Sequence, residues 1–199
     1  MTMVQPRQQW AYKLEQLYED QDPGYVLDTI PHLICWIDPK NRQSAHCFEL
    51  REQRTGGPIT HDLTVSWDVG TLAKRDPRLE ADISRFREGK TLTCEDRAKY
   101  AAYGLALVAV SCLLRRRVAG VSYYRAPDLL LDATSGALRG VEVAGRTSKG
   151  YAAFAQSLDG IPGKPGKRAQ IKAQQDVIEA YVSLWRSNPK VSVWEQVKP

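Results

Sequence analysis

Large apolar residues recur at every second position along two neighbouring stretches in the second half of the chain: Leu129 and Leu131 within 128–132, and Val141 and Val143 within 140–144. This period of two predicts two short strands, and a loop of Thr134 to Gly136, with Gly136 in the left-handed conformation, joins them as a hairpin. The register that follows places Asp128 opposite Glu142, with their Cβ atoms roughly 5 Å apart. Two carboxylates at this separation repel each other unless a cation or a shared proton lies between them. The hairpin is therefore a candidate metal site.

The pattern along the rest of the chain predicts further helices and strands. Helices are expected at 6–20 (ended by Asp22-Pro23-Gly24), from Asp76 to about Glu88, from an N-cap at Thr93 to Arg117 and at 169–186, and an apolar turn or helix is expected to end at Leu158. Strands are expected at 32–37, 45–52, 63–68, 118–125 and 191–197, with a basic loop at 159–168. This order predicts an α/β fold with a mixed central sheet flanked by helices. We divide it into an N-terminal α+β extension (1–90) and a core (91–199).

Composition is that of an ordinary soluble protein, with 43% apolar and 26% charged residues among 199. The longest nearly apolar run, Ala101 to Leu114, has 14 residues and is too short to cross a bilayer. The N-terminus has no apolar signal core, and the four cysteines show no CxxC spacing. We therefore expect a cytoplasmic protein with reduced thiols and no membrane partner.

Positive charge is concentrated at the end of the chain. Residues 1–138 contain 18 Lys and Arg against 18 Asp and Glu, whereas residues 139–199 contain 10 against 5. A basic surface beside the hairpin would attract a phosphate backbone. The alternative is that the excess of positive charge only keeps the protein soluble, and charge alone does not separate the two.

The second half of the chain resembles the PD-(D/E)XK nuclease superfamily. Pro127-Asp128 matches the Pro-Asp at the start of one strand, and Glu142, 14 residues later, matches the acidic residue of the next strand. The resemblance implies a restriction-endonuclease-like core in which Asp128 and Glu142 hold Mg²⁺ (or Mn²⁺), a hard cation that suits oxygen ligands. It also implies a third acidic ligand from the preceding helix, for which Glu95 is the best match and Glu88 the second.

The chain departs from the family pattern at one position. Ala144 stands where the family has a lysine, two residues after the acid. Arg146 shares the strand face but stays protonated and cannot serve as a base at neutral pH. We take Lys149 as the replacement, with Lys164 and Lys167 of the basic loop as alternatives.

These residues predict a metal-dependent nuclease that hydrolyses phosphodiester bonds of DNA or RNA. Arg146, Lys164, Lys167 and Arg168 are expected to contact phosphates. The alternative is a catalytically inactive nuclease-like module that binds nucleic acid or a protein partner in a larger complex. The N-terminal region is then the expected protein-binding surface, and an oligomer is possible. An ordinary hairpin with solvent-facing acids is the third interpretation.

Overall fold

A computed structural model describes residues 7–41, 45–54, 57–89, 93–122, 125–132, 134, 136–147 and 151–199. The first half of the chain forms, in order, β1 (Gln8–Lys13), a 3-10 turn (Leu14–Gln16), α1 (Leu17–Asp20), α2 (Pro23–Ile37), β2 (His46–Gln53), β3 (Ile59–Ser66), α3 (Val69–Arg75) and α4 (Leu79–Arg87). The second half forms α5 (Cys94–Ala109) with a π-helical continuation (Val110–Leu114), β4 (Gly120–Val121), β5 (Leu129–Asp132), β6 (Leu138–Arg146), α6 (Tyr151–Asp159), β7 (Gly160–Ile161), β8 (Lys164–Pro165), α7 (Lys167–Lys172), β9 (Val177–Ser187) and β10 (Lys190–Lys198).

The described strands form an eight-stranded mixed sheet in the order β1-β3-β2-β10-β9-β6-β5-β4, and β7 pairs with β8 as a separate hairpin. The pairs β6 with β9, β10 with β2 and β1 with β3 are parallel, and the other neighbours are antiparallel. The predicted α/β class with a mixed, helix-flanked sheet is confirmed. The sheet is continuous across residue 90, because β2 of the first half pairs with β10 of the second.

Helices cover both faces of the sheet, and the side chains of β6 alternate between these two faces. Val141 and Val143 belong to the large core cluster that also contains the buried residues of α2 and α5. On the other face, Ala144 packs in a cluster with Phe154 and Leu158 of α6. Glu142 lies between these positions and shares the α6 face with Ala144, since side chains two residues apart on a strand point the same way.

Helix α5 begins as predicted at Thr93, whose side-chain hydroxyl accepts a hydrogen bond from the Asp96 N–H at 3.1 Å. The segment Cys94–Leu114 has 21 residues, so it is long and apolar enough to cross a membrane, contrary to the sequence-based expectation. However, 61% of its apolar window is buried inside the fold. That burial is typical of the core helix of a soluble protein. None of the four cysteines forms a disulfide within the described residues.

Two predicted elements in the first half are wrong. Residues 6–20 do not form one helix, because Gln8–Lys13 pairs with β3 as an edge strand. Residues 32–37 are not a strand but the buried last turns of α2. The Asp22-Pro23-Gly24 segment does not end a helix but starts one: the Asp22 carboxylate accepts from the Gly24 N–H, and Pro23 occupies the first helical turn, where its missing N–H costs nothing.

Three predictions in the second half also need correction. The helix expected at 169–186 is the short helix α7 followed by the long strand β9, which is buried on both faces and so lacks a two-residue alternation. Of the strand expected at 118–125, the structure shows Gly120–Val121. The basic segment 159–168 is not a loop throughout, since it contains the β7–β8 hairpin and the start of α7.

Candidate functional site

The β5–β6 hairpin brings Asp128 and Glu142 to facing positions. Leu129 pairs with Val141 and Leu130 with Gly140, so the same register continues to Asp128 and Glu142. Nearer the turn the register shifts, and Asp132 pairs with Arg139 rather than with residue 138 as the three-residue loop predicts. Ala133 and Ser135 of that loop lie outside the described residues.

Gly140 allows Pro127 to lie directly against β6. A Cβ atom at residue 140 would lie 2.3 Å from the Pro127 Cγ and 2.4 Å from the Leu129 carbonyl oxygen, both far inside van der Waals contact. Residue 140, against which Pro127 packs, must therefore be glycine if the backbone is to keep this course. This close approach fixes the position of the backbone from which the Asp128 side chain projects.

Two donors hold the Asp128 carboxylate. The Tyr103 hydroxyl of α5 donates to Oδ1 at 2.9 Å, and the Val143 N–H of β6 donates to Oδ2 at 2.8 Å. Burial and the Asp128 charge raise the pKa of the Tyr103 hydroxyl, so this group stays protonated and acts as a donor. Each carboxylate oxygen keeps a second lone pair for another ligand.

Glu142 is a buried carboxylate in an unfavourable environment. Only 3% of the Glu142 surface is exposed to solvent. Burial, and then the negative charge of Asp128, raise the pKa of Glu142 to about 7, although Lys167 acts in the opposite direction. Its Oε2 is buried and accepts no hydrogen bond from the described residues. A buried carboxylate oxygen without a donor is costly to ionise unless a proton, a water or a cation meets it.

Lys167, the first residue of α7, supplies the amino group of the site. Its Nζ donates to Glu142 Oε1 and lies 4.0 Å from Asp128 Oδ2. The side chain is 24% exposed, so the ammonium reaches a buried carboxylate while it stays in contact with solvent. A lysine therefore stands beside the two acids, although it comes from α7 and not from the position of Ala144 on β6.

The two carboxylates fit a magnesium or manganese ion that is bound partly by water or substrate. Mg²⁺ is commonly held by one or two carboxylates together with waters and phosphates rather than by an all-protein cage. The partnerless Glu142 Oε2 and the free lone pairs of Asp128 would provide such ligands. Within the described ranges, no three His, Cys, Asp or Glu side chains are grouped so that they could hold a metal. The site is thus a two-carboxylate site.

The structure does not bring every predicted residue to this site. Glu95 is exposed and lines another groove, so it does not form a three-ligand group with the two carboxylates. Lys149, the predicted replacement lysine, lies outside the described residues. The Arg168 side chain forms ion pairs with Glu195 and Asp159 instead of facing the two carboxylates. Its Nε donates to Glu195 Oε1 at 2.9 Å, and its Nη1 forms an ion pair with Asp159. The geometry gives Arg168 a structural role in place of the predicted phosphate contact.

The other three basic residues line one open groove. Arg146, Lys164 and Lys167 border a groove of about 380 Å³ between α6, the β7–β8 hairpin and the start of α7. Neither Arg146 nor Lys164 forms an ion pair with any residue that the structure describes, in contrast to Arg168. The groove thus presents positive charge beside the two carboxylates.

Sequence reasoning missed Tyr103 and ranked Lys167 below Lys149. Tyr103 lies on the apolar helix α5, where a tyrosine is indistinguishable from a core residue by pattern alone. The sequence signal for Lys167 is its place after Gly166, at the end of a Gly- and Pro-rich segment that leads into a helix. That signal indicates a helix start but does not show what the lysine faces.

Comparison with known proteins leaves the site to be interpreted from its own geometry. No protein-family model, curated protein or solved structure matches the chain.

Proposed function

We propose that this protein is a metal-dependent nuclease that hydrolyses phosphodiester bonds of DNA or RNA. The observation that carries the proposal is the position of Lys167, which contacts Glu142 and lies 4.0 Å from Asp128. Two acids and a lysine are the set of groups that the resemblance calls for. Lys167, which lies 25 residues after Glu142 in the sequence, takes the place of the lysine that the family has at the position of Ala144.

The helix and strand order supports a restriction-endonuclease-like core in the second half. Helix α5 precedes β5, β5 and β6 form the hairpin with the two acids, and a helical crossover leads from β6 to the parallel strand β9. The N-terminal strands extend this sheet beyond β10.

Each residue of the site has a defined task in the proposed reaction. Asp128 and Glu142 would hold Mg²⁺ or Mn²⁺, which when bound supplies a Lewis-acid charge and lowers the pKa of an associated water. Lys167 orients the attacking water and stabilises negative charge on the phosphate. Hydrolysis joins the water oxygen to phosphorus, with loss of a water proton, and breaks the bond to the leaving sugar oxygen, which gains a proton. Tyr103 and the Val143 N–H keep Asp128 in place.

A nuclease assay tests the proposal. Purified protein is incubated with single- and double-stranded DNA and RNA in Mg²⁺, Mn²⁺ or EDTA, beside the Asp128→Ala/Glu142→Ala double variant. We expect metal-dependent cleavage that the double variant lacks. Binding without cleavage by the wild type, with binding retained in the double variant, would overturn the nuclease and favour the inactive binding module.

A lysine series tests which amino group serves the site. We expect Lys167→Met to reduce cleavage at least 100-fold, about the contribution of a positioned proton-transfer or charge-stabilising group. Lys149→Met provides the matched control, because it removes the other candidate lysine. Full activity in Lys167→Met together with loss in Lys149→Met would contradict the assignment of Lys167.

A further inference from the structure

The β7–β8 hairpin borders the groove that Arg146, Lys164 and Lys167 line. Gly160 pairs with Pro165 and Ile161 with Lys164. Pro162 and Gly163 form the turn, and the φ of +80° at Gly163 suits the third position of a type II turn, which requires glycine after proline. Two residues after the hairpin, Lys167 opens α7 and reaches Glu142. The hairpin is thus joined directly to the candidate site.

Ile161 of β7 exposes an apolar side chain at the edge of the groove. It is 48% exposed, and among the described residues the other large apolar side chain with comparable exposure is Ile178 of β9, at 42%. Single exposed apolar residues are common, so exposure alone indicates nothing. Ile161 differs from Ile178 because it lines the groove of Arg146 and Lys167 and pairs across the hairpin with Lys164.

The charges of the groove favour a polyanion. Arg146 and Lys164 form no ion pair within the described part of the chain, and Lys164 is exposed. Glu95 lines a neighbouring groove with the same two cations, but the structure places no ion pair between them. A partner that meets both the cations and Ile161 offers anionic groups and apolar carbon surface a few ångströms apart. A nucleic-acid strand, with its phosphates, sugars and bases, has this chemistry.

We propose that the β7–β8 hairpin binds a nucleic-acid strand beside the carboxylate site. Lys164 contacts a phosphate, and Ile161 packs against the sugar or base of a neighbouring nucleotide. This proposal rests on the proposed function, because it takes the substrate to be a nucleic acid. It adds a substrate-contacting element whose action does not depend on the metal.

Fluorescence anisotropy in EDTA tests the hairpin separately from cleavage. The probes are a fluorescein-labelled oligonucleotide as a single strand and the same sequence as a duplex. We expect Ile161→Ala to weaken binding about fivefold, because the nucleic acid no longer buries about half of an isoleucine side chain. The salt dependence of binding should not change. Lys164→Ala should lower the slope of log affinity against log salt by about 1, because one phosphate contact is lost. The probe that loses more affinity in Ile161→Ala identifies which form supplies the contacted nucleotide.

Ile178→Ala is the matched control, because it removes an isoleucine of similar exposure outside the groove. It should bind as the wild type does. Equal affinity of Ile161→Ala and wild type, equal loss in Ile178→Ala, or no binding of either probe by the wild type would overturn the hairpin proposal. Binding through the hairpin with no cleavage in Mg²⁺ would overturn the nuclease instead. Cleavage with unaltered binding in Ile161→Ala would overturn the hairpin alone.

Discussion

Replacing Glu142 by glutamine removes a buried carboxylate that is costly to ionise in the folded chain. The pKa of Glu142 is about 7 in the folded protein, against a reference value of 4.5 that applies to the unfolded chain. Between these values the folded state binds more protons than the unfolded state, so the free energy of unfolding of the wild type falls as the pH rises. The penalty is absent below about pH 4.5 and complete above about pH 7.

The magnitude follows from the same two values. One pKa unit corresponds to about 1.4 kcal/mol, so the penalty reaches about 3 kcal/mol above pH 7. Glutamine has nearly the same shape and its amide oxygen still accepts from Lys167, but it does not ionise. We therefore expect the free energy of unfolding of Glu142→Gln, relative to that of the wild type, to increase by about 3 kcal/mol from about pH 4.5 to pH 8.

Urea denaturation across this pH range, in EDTA, measures the effect. The chelator is needed because a bound cation would stabilise the wild type and mask the penalty. Glu80→Gln, which removes an exposed carboxylate of α4, is the control and should follow the wild-type profile. Parallel pH profiles for wild type and Glu142→Gln would refute the argument that burial and Asp128 oppose the ionisation of Glu142.

Two further variants test how Asp128 is held. Tyr103→Phe removes the hydroxyl that donates to Asp128 and should lower the free energy of unfolding by about 2 kcal/mol, as for a hydrogen bond to a charged group. Tyr100→Phe, three residues earlier on the same helix, should change it by less than about 0.5 kcal/mol in the same urea titration. Gly140→Ala forces a Cβ into the space of Pro127 and should cost about 3 kcal/mol or prevent folding, measured by thermal unfolding. Gly120→Ala is the control, because its Cβ would lie 3.5 Å from the nearest neighbour; equal effects of the two alanines would contradict the close approach.

The candidate site was only partly predictable from the sequence. Alternation along 128–132 and 140–144 sufficed for the hairpin, because Leu129, Leu131, Val141 and Val143 recur at every second position and a single register joins the two acids. The lysine was not predictable in the same way. Lys167 reaches Glu142 because α7 packs on the same sheet face, where its Ile171 meets Leu138 of β6. Such packing depends on tertiary structure and leaves no local periodicity.

The errors in secondary structure have similar physical causes. Strand β9 is central and covered by helices on both faces, so its apolar residues run together and imitate a helix. The end of α2 is buried on all sides, and its apolar run imitates a buried strand. In both cases the missing information is which surfaces the neighbouring elements cover. The capping signal at Thr93 is local and predicts the start of α5 correctly. The signal at Asp22 is also local, but it follows a stretch that is expected to be helical, so it indicates a helix end instead of the start of α2.

We expect Asp128 and Glu142 together to bind a divalent cation without a third acidic side chain. Calorimetric titration of the wild-type protein with Mn²⁺ at pH 8, where Glu142 is ionised, tests this claim most directly. We predict binding of about one Mn²⁺ ion per chain, lost in both Asp128→Asn and Glu142→Gln and unchanged in Glu95→Gln. No uptake by the wild type, or uptake that persists in Asp128→Asn, would contradict the account.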